Sequence, residues 1–174
     1  MSKQCRLPED LAESLKGLIA KECSGFYAGP VTGPDIDLHF GRKTTIVVPV
    51  SRPSLPEGLK LAQGEISLFI ECAWRLDSER EVICGSTDSN ENDGPMQRGL
   101  ALIVGRAVKS VKVELPAGDL TVRFDGDIAL RVFCDQTNLE EGNDNYSLHV
   151  KDRIYIVGPR GRLRYELRTN DGAR

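Results

Sequence analysis

The chain has no long apolar run. Ile46 to Val50 is broken by Pro49, and Leu100 to Val104 stops at Gly105, far short of the ~20 residues that a membrane-spanning helix needs. The opening residues, Met1-Ser2-Lys3-Gln4-Cys5-Arg6, carry no apolar stretch of the kind a secretory signal requires, so a cytoplasmic location is the expectation. The five cysteines (Cys5, Cys23, Cys72, Cys84, Cys134) are odd in number and form no C-x-x-C pair. That excludes a disulfide framework or a zinc knuckle read from spacing and leaves reduced thiols packed as small hydrophobes. Neither G-x-x-x-x-G-K-[ST] nor G-x-G-x-x-G occurs, so no phosphate loop is expected. Histidine is scarce as well. A metal site would need His39 and His149 together, or one of them with Cys72 or Cys134. Each alternates with apolar neighbours in a strand-like run, which predicts an exposed or rim position with a structural role. No metal and no cofactor is expected.

What is present fits one globular domain: 174 residues, 40% hydrophobic and 28% charged. The formal charge of -3 is unevenly spread. Residues 151–174 hold seven Lys/Arg against Asp152, Glu166 and Asp171, a balance of +4 that leaves -7 for residues 1–150. The body is acidic and the tail basic.

A first helix is marked by Pro8 at its start, by Glu9 and Asp10 near the positive end of the dipole, and by Leu11, Leu15, Leu18 and Ile19 on one face. Gly25 is its expected stop. A weaker helical pattern covers Pro95 to Val104. The remainder is short alternating or β-branched runs parted by Gly, Pro and Asx: 36–40, 44–50, 65–72, 81–84, 108–115, 120–124, 128–134, 146–150, 153–157 and 163–167.

The chain also matches itself. Gly64-Glu65-Ile66-Ser67-Leu68-Phe69-Ile70-Glu71-Cys72 lies over Gly126-Asp127-Ile128-Ala129-Leu130-Arg131-Val132-Phe133-Cys134. Upstream, residues 35–40 lie over 119–124 and Leu18-Ile19 over Leu102-Ile103, at an offset of 84. Downstream, Trp74 meets Tyr146, and Val82 to Gly85 meets Tyr155 to Gly158. The offset drops where the first half carries an excursion over 42–63 and rises where the second carries an insertion within 135–144. The expected fold is therefore α+β and strand-rich: two related halves, about 8–88 and 97–160, each a helix plus an antiparallel meander. They would pack as one pseudo-two-fold domain, with linker 86–94 and a basic strand and tail over 161–174.

Asp88-Ser89-Asn90-Glu91-Asn92-Asp93-Gly94 alternates oxygen side chains as a calcium loop does, but its glycine comes one position late and Gly99 stands where a bidentate Glu is needed. It reads as a solvated linker. The carboxylate pairs Asp125/Asp127 and Glu79/Glu81 read as turns and solvated faces, so no catalytic set is assigned. Trp74 and Tyr146 are expected at the seam between the halves; if the seam is a pocket, Arg75, Asp135 and Tyr146 are its polar rim beside Trp74. Arg160 lies in a Pro159–Gly161 turn and Arg162 and Arg164 follow it; the three form a candidate nucleic-acid surface, weakened by the lack of interleaved aromatics.

Phe69-Ile70-Glu71-Cys72-Ala73-Trp74-Arg75-Leu76 with Ile83 to Asp88, and Leu120 to Gly126 with Leu130-Arg131-Val132-Phe133, resemble a group of small bacterial proteins of uncharacterised function, over residues about 64–160. The shared motifs are structural and transfer no functional residue. The resemblance implies a cytosolic accessory protein, and small acidic α+β chains of this kind recur among immunity proteins of bacterial toxin systems. The leading expectation is thus a non-catalytic protein whose acidic body engages a basic partner protein. A ligand-binding or hydrolytic cleft between the halves, and weak RNA binding by the terminal arginines, are the alternatives.

Overall fold

A computed structural model describes residues 9–45, 62–140 and 142–167. Among them are two α-helices and eleven strands in two antiparallel sheets. Helix α1 spans Glu9–Lys16 and α2 spans Pro95–Ala101. The strands are β1 Cys23–Tyr27, β2 Ile36–Thr45, β3 Ala62–Ile70, β4 Ala73–Asp77, β5 Val82–Gly85, β6 Val108–Glu114, β7 Asp119–Phe124, β8 Ile128–Phe133, β9 Tyr146–Val150, β10 Arg153–Val157 and β11 Leu163–Leu167. The six-stranded sheet runs β1-β2-β3-β9-β10-β11 and the five-stranded sheet β5-β4-β8-β7-β6. The chain is strand-rich and compatible with the α+β class.

Period-two burial places the core between the sheets. Ile36, Leu38 and Phe40 of β2, and Ile66, Leu68 and Ile70 of β3, point inward from one sheet. Trp74 and Leu76 of β4, Leu120, Val122 and Phe124 of β7, and Ile128, Leu130 and Val132 of β8 point inward from the other. One cluster of buried side chains joins them with Leu11 and Leu15 of α1 and Met96 and Leu100 of α2. The rings of Phe40 and Phe124 stack with centroids 6.4 Å apart. Helix α2 lies so close to β5 that a methyl group on Gly99 would sit 2.4 Å from the Cys84 Sγ.

Three expectations change. The first helix ends at Lys16, nine residues before Gly25: the turn after it takes Ala20 to φ 67°. From there Ala20 N–H donates to Val108 C=O and Cys23 N–H to Arg106 C=O, tertiary bonds that start β1 across the expected helix stop. The run 65–72 is broken at Glu71 and Cys72, whose N–H groups both donate to Asn145 C=O at 2.9 and 3.2 Å. There the chain leaves the six-stranded sheet for the five-stranded one. His39 is not a rim residue: it is 9% exposed, and its Nδ1 accepts from Gly64 N–H. Most of the expected 44–50 strand, like much of the 42–63 excursion, lies outside the described residues, which stop at Thr45 and resume at Ala62. No helix among the described residues is long and apolar enough to cross a membrane.

Candidate binding surface

Two loops meet at one end of the molecule. The first, residues 28–35 between β1 and β2, contains Gly29-Pro30 and Gly33-Pro34, and Gly33 takes φ 62° as its turn requires. Thr32 closes the loop on itself. Its Oγ1 donates to Gly29 C=O at 2.9 Å, and its backbone carbonyl accepts from Asp35 N–H at 3.2 Å. The second loop is 86–94, the segment read from sequence as a solvated linker. It folds back tightly: the Asp88 carboxylate accepts from Gly85 N–H at 2.8 Å, Gly94 N–H donates to Glu91 C=O at 2.9 Å, and Asp93 sits at φ 60°.

Asn90 binds the loops to each other. Its Nδ2 donates to Gly29 C=O at 2.8 Å and to Gly33 C=O at 2.5 Å. Two further side chains hold the first loop from behind. The Trp74 indole N–H donates to Pro34 C=O at 2.8 Å, and Gln97 of α2 donates to Ala28 C=O. The two loops contain Asp35, Asp88, Glu91 and Asp93 and no Lys or Arg, a formal -4 over 17 residues. Asp88, Glu91 and Asp93 are exposed; burial pushes the half-buried Asp35 carboxyl above its ordinary pKa. Val31, at the tip, is 68% exposed. The result is an acidic platform with an apolar knob, held in one conformation by four side chains. An open cleft of about 380 Å³ adjoins it, lined by Phe26, Asn92, Asp93, Gln97, Arg98 and Ala101.

The residues nominated from sequence lie as follows. Trp74 (2% exposed) and Tyr146 (0%) are both in the core, on different sheets. Each has spent its polar atom on a loop carbonyl, the Tyr146 hydroxyl donating to Gly118 C=O at 3.0 Å. Arg75 alternates with Trp74 and so faces outward, 5.5 Å over the Phe133 ring. It holds Asp77 through Nε at 2.7 Å and Nη2 at 3.1 Å, and Arg131 Nε reaches the same carboxylate at 2.8 Å. Burial alone would raise the Asp77 pKa; the two guanidinium groups outweigh it and hold the carboxyl below its ordinary value. Asp135 accepts from Ala73 N–H at 3.3 Å. Of the terminal arginines, Arg160 Nε donates to Thr137 C=O, Arg162 is exposed, and Arg164 makes a bidentate pair with Asp144 at 2.8 and 2.7 Å. The nominated arginines therefore lie on the edge strand β11 and the turn before it, partly engaged with the protein itself.

His39 and His149 do come onto one sheet face: His39 pairs with Ser67 across β2–β3 and Ser67 with His149 across β3–β9. The Ser147 hydroxyl lies 3.0 Å from His149 Nε2, and His39 Nε2 is 3.8 Å from Asp37. Among the described residues no three His, Cys, Asp or Glu side chains are placed to hold a metal ion.

Sequence reasoning missed the 28–35 loop. Its signal was the doubled Gly-Pro dipeptide, which marks a turn-rich connection; what no local pattern carries is its union with a loop some sixty residues away. No family model, no curated protein and no solved structure matches this chain.

Proposed function

We propose that this chain is a non-catalytic binding protein, of immunity or antagonist type and cytoplasmic, whose acidic loop platform engages a basic protein partner. The observation that carries this reading is the preorganisation of the 28–35 and 86–94 loops by Asn90, Trp74, Gln97 and Thr32. Loops held in place before binding save the ordering cost that a mobile loop adds to association. Charge of one sign on them accelerates encounter with a basic partner and makes binding salt-dependent. Val31, 68% exposed at the tip of the first loop, adds an apolar contact to the charged surface.

The scaffold under the platform is, in this reading, a duplicated unit folded as one domain with pseudo-two-fold symmetry. Reciprocal hydrogen bonds support it. Ala20 N–H donates to Val108 C=O and Gly105 N–H to Cys23 C=O; Cys23 N–H donates to Arg106 C=O and Val108 N–H to Lys21 C=O. Within each pair, adding 85 to the first-half residue number and subtracting 85 from the second-half one turns one bond into the other. Ala20 and Gly105, also 85 apart, share a positive φ. Burial agrees with 85 in place of 84 here, since Leu18 and Ile103 are both fully buried while Leu102 is 47% exposed. Both β1–β2 and β6–β7 carry a bulge one residue beyond Cys23 and Val108. Finally, Trp74 to Pro34 and Tyr146 to Gly118 are matching bonds, and Phe40 stacks on its counterpart Phe124.

The test is capture from the native cell with wild type and with a Val31→Asp/Glu91→Lys double variant. A stoichiometric basic protein is expected with the wild type, weakened by salt and lost with the variant at an unchanged unfolding temperature. A partner that the variant retains, or none at all, overturns the proposal.

A further inference from the structure

Cys72 is the second residue past β3 and Cys134 the first past β8, so each marks the point where the chain leaves one sheet for the other. Ala73 and Phe133 are register partners, which puts the two cysteines on the next rung of the same ladder. Residues facing each other on such a rung have Cα atoms about 4.5–5.5 Å apart, within the roughly 4.4–6.8 Å that a disulfide spans. Neither cysteine is in a disulfide. Cys72 is 3% exposed, whereas Cys134 is half-buried at the edge of the core and is the more accessible of the two.

We propose that Cys72 and Cys134 form a two-electron thiol–disulfide site, oxidised by a low-molecular-weight disulfide that enters at Cys134. The Cys134 thiol loses its proton to solvent and the thiolate attacks one sulfur of the reagent disulfide. The reagent's S–S bond breaks, and the leaving thiolate takes up a proton. The Cys72 thiol then loses its proton and attacks the Cys134 sulfur of the mixed disulfide, expelling the second reagent thiol. Two protein thiols are oxidised and one reagent disulfide is reduced to two thiols. The product staples the β3–β4 crossover to the β8–β9 crossover.

The surroundings make this a slow site. The neighbouring Cys72 sulfur, burial, and the carboxylates of Asp119 and Asp135 all push the Cys134 thiol well above its ordinary pKa. Attack therefore draws on a small thiolate fraction that grows about tenfold per pH unit. Cys23 and Cys84, 0% and 1% exposed and with no cysteine opposite them in register, serve as unreactive internal controls.

The experiment incubates the reduced full-length chain with oxidised glutathione at pH 7, 8 and 9. Expected are a product lighter by two hydrogen atoms, a fall in titratable thiols from the five in the sequence to three, and a peptide pair linked through Cys72 and Cys134. The rate should rise about tenfold per pH unit. Cys72→Ser should stop at the mixed disulfide on Cys134, and Cys134→Ser should take up nothing at Cys72. Peptide mapping of the wild type needs neither variant to fold. A link between any other pair, or Cys72 and Cys134 still fully alkylatable after unfolding, overturns the proposal.

Discussion

Residues 9–85 and 95–158 run through the same series of elements, a helix, a three-stranded meander and a hairpin in the opposite sheet, yet they differ in where they are elaborated. Between β1 and β2 the first region has eight residues with two Gly-Pro steps; between β6 and β7 the second has four. The crossover from β3 to β4 takes two residues and that from β8 to β9 takes twelve. Interior groups, by contrast, correspond: an aromatic ring from each region stacks on the other, and an aromatic polar atom from each is tied to a loop carbonyl just before the next strand. Shared groups thus hold the fold, and unshared loops are where a partner would be met.

The largest effect expected from this contrast is in the shared interior. Phe40→Ala and Phe124→Ala each remove one ring of the central stack, so each should cost about 3–5 kcal/mol, by urea unfolding, with the two values within about 1 kcal/mol of each other. The double variant should cost less than the sum, because the partner ring is already unstacked. Costs that differ severalfold would mean the two regions are not equivalent at the core. Next come Trp74→Phe and Tyr146→Phe. Tyr146→Phe leaves Gly118 C=O unpaired in the interior and should cost about 1–3 kcal/mol. Trp74→Phe leaves Pro34 C=O unpaired and also frees the acidic loop, so it should speed amide exchange at residues 29–35, which Tyr146→Phe leaves unchanged. Equal exchange in both would remove Trp74 as the support of the platform.

Much of this architecture is legible in the sequence, because a half-buried strand writes its pattern at period two. Leu38 and Phe40, Leu68 and Ile70, and Leu130 and Val132 announce their inward faces without help. β1 is illegible for a definite reason. Cys23-Ser24-Gly25-Phe26-Tyr27 does not alternate, and its glycine sits where a helix stop is expected; the strand exists through pairing with β2 and contacts to residues 104–108. Alternation puts His39 on the face opposite Leu38 and Phe40, which predicts exposure; it reports side and not cover, so the burial of His39 is invisible in the sequence. The 86–94 segment reads in the sequence as a solvated linker. Asn90 looks like any solvated turn residue until the Gly29 and Gly33 carbonyls arrive from another part of the chain.

The smallest expected effect lies on the outer face, where Arg75 from the first region and Arg131 from the second share Asp77. Partly exposed ion pairs contribute about 1 kcal/mol or less, so this joint should matter far less than the Phe40–Phe124 stack. Its pH dependence has a fixed sign. The folded-state pKa of Asp77 lies below the ordinary carboxylate value, so its contribution is complete above that value, about 3.9, and is lost as pH falls through the folded-state pKa. Asp77→Asn should therefore lower the unfolding temperature by a few degrees at pH 6–7, and the gap to wild type should close as both are acidified through the folded-state pKa of Asp77. A gap that persists at low pH would assign the effect to packing against Arg75 and Arg131, and the outer joint between the two regions would then be steric where the geometry makes it electrostatic.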